Sequence, residues 1–300
     1  MNSLPGGGAR AALRAFRKDG STDEWTYEAL ARAAFRVAEG LRGRGVQQGD
    51  RIVVSAESSP ASIAAMLGII GAGAVVVPID VQMEKKPLAY ALERCRPRLA
   101  FGSEDRVDAL RDAAGQLVVL PVDTGRWEDF AEKSERGTSS GGAGGPGGEA
   151  RKSAEASGEE PVPDPVDEAA VFFTSGTSGT VKGVPLTHAN MAHQIDALVD
   201  SELVGPDDTL LLPLPLHHVY PFVVALLLPL ALKMDIVLPA SLTGPDLVKA
   251  LREGGVSVVI GVPRLYVALL DGIRANAHSK GRLAALWFSA SMGLSTAVRR

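Results

Sequence analysis

Apolar residues recur along this chain at two alternating spacings, which predicts a succession of helices and strands. Ala9 to Lys18 reads as an ordinary first helix. After Thr26, a helix-capping residue, Leu30, Ala33, Ala34, Val37, Ala38 and Leu41 share one helical face, and Gly43 and Gly45 end it. Gln48-Gly49-Asp50 turns into a short strand, Arg51 to Ser55. Pro60 to Ile79 is apolar almost throughout, but Gly71 and Gly73 divide it into a helix and a β-branched piece, Val75-Val76-Val77. A buried helix feeding a buried strand explains this run better than a membrane span. The pattern continues with a helix over Pro87 to Cys95, a strand at Arg98 to Phe101, a helix near Asp105 to Ala113 and a strand at Leu117 to Pro121.

Between residues 133 and 167 the periodicity stops. Gly137 to Gly148 is glycine-rich, and Arg151 to Pro165 is charged, rich in Ser and Ala, and punctuated by proline. Such a stretch buries too little apolar surface to offset its ordering entropy, which predicts a flexible linker or insertion. The expected organisation is a first α/β region at 1–132, the linker at 133–167 and a second α/β region at 168–300. The second region continues the alternation. Its strands are Thr209 to Leu212, Ile236 to Pro239 and Val256 to Ile260; its helices are Pro245 to Arg252 and one from Gly261, with Leu265, Leu269 and Ile273 aligned. Pro221 to Leu232 is a helical segment that Pro229 should kink. The fold class expected is α/β, with parallel-rich sheets flanked by helices.

Composition narrows the function. A 300-residue chain with 46% apolar residues can bury a large core. A net charge of −4 offers no basic footprint for nucleic acid. Cys95 is the single cysteine, so there is no disulfide framework and no cysteine metal cluster, and a reducing, cytoplasmic setting is the default. A cysteine between Arg94 and Arg96 suits a helix surface, with some acidification as the sharper alternative. Met1 to Arg17 has arginines but no continuous apolar stretch, so it is not a secretory signal; its composition has a transit-peptide flavour, against which stands the first-helix reading.

One stretch carries chemistry. Val171-Phe172-Phe173 favours a buried strand; Thr174-Ser175-Gly176-Thr177-Ser178-Gly179-Thr180-Val181-Lys182-Gly183 follows, and Thr187 caps a helix with Met191, Ile195, Leu198 and Val199 on one face. Strand, glycine-rich turn, lysine and helix suit a phosphate cradle: glycines let backbone N–H groups approach, hydroxyls donate, and lysine adds a point charge. A Walker loop and a G-x-G-x-x-G fingerprint are both excluded by the spacing. Further on, Leu214-Pro215-Leu216-His217-His218 follows a strand. Its histidines are either a polar turn or, at the end of a parallel strand, groups facing the ligand crevice.

Thr174 to Gly183 closely resembles the signature loop T-S-G-T-[TS]-G-x-P-K-G of the AMP-forming adenylating enzymes, with Val181 in place of the usual proline. That superfamily includes acyl-CoA synthetases, luciferases and peptide-synthetase adenylation domains. Trp25 to Leu30, Gly49 to Ile52 and Val77 to Asp80 look like stations along its N-terminal part, in order. Leu214 to His218 is similar to its L-P-L-x-H motif, which gives His218 the position associated with the acyl site. The combination of Leu214 to Phe222 with Gly261 to Tyr266 looks most like the long-chain acyl-CoA ligase branch.

The resemblance implies that Thr174, Ser175, Gly176, Thr177, Ser178, Gly179, Thr180 and Lys182 hold the phosphates of ATP. Thr174 would also contact Mg²⁺, and Lys182 and His218 would act in catalysis. It implies activation of a carboxylate, a long-chain fatty acid on the branch assignment, with coenzyme A as co-substrate. No transmembrane segment is expected; peripheral membrane contact stays open. The family's later Tyr-Gly-x-Thr-Glu and Thr-Gly-Asp motifs and its C-terminal lid have no counterpart in these 300 residues. The readings that follow are an acyl-CoA ligase represented by its front portion, a catalytically incomplete nucleotide-binding or interaction module, or an adenylating enzyme for another carboxylate.

Overall fold

A computed structural model describes residues 10–122, 164–175, 181–279 and 281. The linker expected at 133–167 lies outside the described residues except for its last four, Asp164 to Asp167. The described elements are β1 (Ala11–Phe16), β2 (Thr22–Thr26), α1 (Tyr27–Gly43), β3 (Arg51–Ser55), α2 (Pro60–Gly71), β4 (Val75–Pro78), α3 (Lys85–Cys95), β5 (Leu99–Gly102), α4 (Val107–Ala114) and β6 (Val119–Pro121). After these come β7 (Glu168–Ser175), β8 (Val181–Thr187), α5 (His188–Asp200), β9 (Thr209–Leu211) and a π-helical segment (Pro221–Leu227) that runs into α6 (Leu228–Ala231). Last are β10 (Asp235–Leu238), α7 (Gly244–Glu253), β11 (Val258–Val259) and α8 (Pro263–Ser279). The sheets are mixed and mostly parallel, as the alternation predicts.

The chain forms two compact units that interleave in sequence. One comprises Tyr27–Ser201 with Pro215–Val223. Its sheet has the order β6-β5-β3-β4-β7-β8, parallel except for β8, which runs back beside β7. β3, β4 and β5 have both faces covered and are almost wholly apolar, the composition a buried parallel strand requires. Ser59 caps α2 reciprocally with Ser62.

Helix α2 lies so close to α1 that a Cβ on Gly68 would stand 2.5 Å from both Ala34 O and Val37 Cβ. Alanine is the better helix former by roughly 1 kcal/mol, yet Gly68→Ala is expected to destabilise the protein, because the backbone of α1 must move; overpacking of this kind costs about 1–3 kcal/mol. Urea unfolding followed by circular dichroism should show a lowered midpoint.

The other unit comprises the chain through Thr26, Glu202–Leu214 and the residues from Val224 onward. Its sheet order is β11-β9-β10-β1-β2, parallel except for β2. Here the expected first helix is corrected, because Ala11–Phe16 is a strand. It pairs in parallel with β10 and antiparallel with β2, burying Ala12 and Leu13 completely. Arg14 bonds Asp235 at 3.2 Å and Gly254 O at 2.8 Å. Pro229 falls in the first turn of α6, where its missing N–H is harmless, and the irregular turn precedes it. On α8, Leu265 and Leu269 are buried but Ile273 is exposed. Its neighbour Gly272 makes the contact instead, packing backbone to backbone on Gly244 of α7.

Cys95 also departs from expectation. It is buried in the core beneath α3 and not on a helix surface. Burial pushes its thiol up to about 11, outweighing the nearby Arg51 charge. The native protein should therefore resist thiol reagents at pH 8, and titration with a disulfide reagent should detect the cysteine only after denaturation.

Candidate functional site

The signature stretch folds as a hairpin. β7 and β8 pair antiparallel, with Thr174 opposite Lys182 and Ser175 opposite Val181. Lys182 is therefore the second residue of a strand, which corrects the expectation of a loop lysine. The hairpin register fixes its side opposite Thr174, and both residues are exposed. Two features that read as loop are accommodated by the edge position of β8. Pro185 needs no ladder donor towards open solvent, and Gly183 leaves room for Val171 Cγ1, which would be 3.2 Å from an added Cβ. The joining residues Gly176, Thr177, Ser178, Gly179 and Thr180 lie outside the described residues, as does the side chain of Ser175. Beyond β8, Thr187 caps α5 reciprocally with Asn190. Of the face expected on α5, Met191 is buried, while Val199 is exposed. His188 and His193 are helix residues.

β4 and β7 are parallel neighbours, so the turn after β4 shares the sheet edge at which β7 ends. Asp80 sits in that turn. Its Oδ1 accepts the Gln82 N–H at 2.8 Å, and Met83 N–H donates to its carbonyl at 3.1 Å. Arg106 supports the turn from the adjacent strand ends, donating from Nε to Ser55 Oγ at 3.3 Å and from Nη2 to Met83 O at 3.4 Å.

The segment Pro215–Val223 brings the two histidines to this edge. It is fastened on one side by the edge-to-face contact of Phe222 with Phe172 of β7, centroids 5.3 Å apart. His217 Nε2 lies 3.8 Å from Asp80 Oδ2, and the His217 and His218 rings are 4.3 Å apart. His217 is half-buried and His218 exposed. Burial holds the His217 pKa below its ordinary value; Asp80 raises it and His218 lowers it further.

The C-terminal edge of one parallel sheet thus gathers Thr174, Lys182, Asp80, His217 and His218, where open α/β sheets bind ligands. Sequence reasoning passes over Asp80, although a carboxylate directly after the apolar run Val75 to Ile79 is a signal of position at a strand's ligand edge. Among the described residues no helix is long and apolar enough to cross a membrane.

The sequence model of one family, AMP-binding enzyme, matches residues 7–300. Feruloyl-CoA synthase of Amycolatopsis sp is 29% identical over 250 residues, covering 81% of this chain and 45% of its own. Tyrocidine synthase 3 of Brevibacillus parabrevis is 28% identical over 254 residues, 84% of this chain and 4% of its own. The crystal structure of ATP-bound MatB from Rhodopseudomonas palustris superposes with a TM-score of 0.69 at 27% identity, over 89% of this chain and 49% of that one. The chain thus spans about half the length of MatB and slightly less of feruloyl-CoA synthase.

Proposed function

The chain belongs to the AMP-binding enzyme family, and from that premise we propose that it holds the phosphates of ATP while a carboxylic acid is activated as its acyl-adenylate. A carboxylate oxygen attacks the α-phosphorus, the bond to the β-phosphate oxygen breaks, and pyrophosphate leaves. The thiol of coenzyme A then takes the acyl group and releases AMP. Anion attacks polyanion in the first step, so the β- and γ-phosphates must be fixed and their charge offset. Lys182 supplies that charge from the start of β8, and Ser175 to Thr180 supply N–H and hydroxyl donors.

The Thr174 hydroxyl, exposed and opposite Lys182, suits one contact to Mg²⁺. Among the described residues no group of three or more His, Cys, Asp or Glu could hold a metal. Phosphate oxygens and water would supply the remaining ligands, as is usual for this ion. Bound there, Mg²⁺ neutralises phosphate charge.

The observation that carries this reading is the Thr174–Lys182 pair at the ligand edge of the sheet. His218, exposed on the same edge, lines the acyl site. The resemblance of Leu214–Phe222 and Gly261–Tyr266 to the long-chain branch makes a long-chain fatty acid the first candidate substrate. The similarity to feruloyl-CoA synthase favours a second, an aromatic acid. A cytoplasmic location accompanies both. Exchange of labelled pyrophosphate into ATP, dependent on added carboxylate, tests the reading with palmitate, ferulate and amino acids in parallel. Exchange with none of them, in a polypeptide of the relatives' length, would favour the non-catalytic module or an enzyme for another carboxylate.

A further inference from the structure

The two carboxylate oxygens of Asp80 have different tasks. Oδ1 closes the turn through the Gln82 N–H, and Oδ2 faces His217 Nε2 at 3.8 Å. The turn beneath is fixed by the Met83 N–H bond and by Arg106. The Pro215–Val223 segment is fastened to the sheet independently, by Phe222 on Phe172, and is braced internally by the Phe222 N–H donating to His218 O at 3.2 Å. His217 thus stands between a fixed anion and the ring of His218.

We propose that Asp80 is a positioning residue: it anchors His217 and, through the contact between the rings, sets the orientation of His218. The use of the pair in acyl recognition rests on the function proposed above; the anchor itself does not. The charged and titratable groups acting on His217 are Asp80, from the turn after β4, and His218, from its own segment. Burial and His218 both oppose its protonation, and Asp80 alone of the three favours it. Removing the Asp80 charge must therefore move proton uptake to lower pH.

Asp80→Asn keeps an Oδ1 acceptor for Gln82 and removes the charge, so the turn is retained. NMR titration of the histidine rings in the chain should show the His217 midpoint falling by roughly half to one pH unit, the effect of a unit charge about 4 Å away in watery surroundings. The His218 resonances should shift in the same variant. High salt on the unmodified protein should move His217 in the same direction by screening, which keeps the test open if the variant misfolds. A His217 midpoint indifferent to both changes overturns the anchor.

In a polypeptide of the relatives' length, Asp80→Asn should raise KM for the carboxylate in pyrophosphate exchange by about three- to tenfold, with KM for ATP unchanged. An equal rise in both, or in neither, refutes the positioning role. Intact histidine coupling in a protein without any exchange would instead sink the proposed function and leave the anchor standing.

Discussion

Lys182→Ala is expected to slow carboxylate-dependent pyrophosphate exchange by about one to three orders of magnitude, the loss typical of removing one preorganised contact to transition-state charge. The fold should survive, because Lys182 is exposed on edge strand β8 and packs against little. The effect should fall on kcat more than on KM for the carboxylate, since the lysine serves the departing pyrophosphate and not the acyl group. Lys182→Arg restores charge but presents a planar fork in place of a point charge, so rescue should be partial. Unchanged exchange in the alanine variant would remove Lys182 from the mechanism. The measurement belongs in a polypeptide spanning the relatives' length.

A large stability effect is expected at Leu13. It is completely buried on β1, between β10 and β2. Truncation to alanine removes its apolar contacts and leaves a cavity that two flanking strands prevent from closing, which costs about 3–5 kcal/mol. Trp25, on β2, pairs directly with Leu13, so its fluorescence offers a local probe of unfolding. A change of less than about 1 kcal/mol would mean that β1 is not the inner strand described here. The same substitution on an exposed terminal helix would be nearly silent, so the experiment separates the two readings of Ala9–Lys18.

That segment also shows why parts of the fold are legible and others are not. Arg51–Ser55 and Val75–Pro78 announce themselves because strands covered on both faces need unbroken apolar, β-branched runs. Ala11–Phe16 is alanine-rich, with arginine on either side, and alanine prefers a helix. Its strand state comes from β10, more than two hundred residues away, which no local window contains. Lys182 misleads for a related reason. Gly183 and Pro185 are loop residues in isolation, and only the edge position of β8 makes them acceptable in a strand.

Within the candidate site, the motif at Thr174–Gly183 is readable as a word, while its partners are not. Two adjacent histidines look alike in sequence. What distinguishes His217 from His218 is Asp80, which reaches the same edge through sheet order. Phe222 likewise reads as one more apolar helix residue until its ring is found against Phe172.

The parallel pairing of β1 with β10 has a consequence for how the protein is made. Residues 11–16 leave the ribosome long before residues 235–238 exist. At about 5–20 residues per second, the interval is roughly ten to forty seconds. During that time β1 can close its hairpin with β2, but its other backbone edge has no strand to meet. An open strand edge of this kind, with unpaired N–H and C=O groups, is a template for wrong pairing. β3, β4, β5 and β6 can assemble meanwhile from contiguous chain, so the nascent protein holds a maturing sheet downstream of an unfinished one. Until β10 arrives, the N-terminal sheet is therefore open to mispairing to a degree that the stability of the finished fold does not reflect.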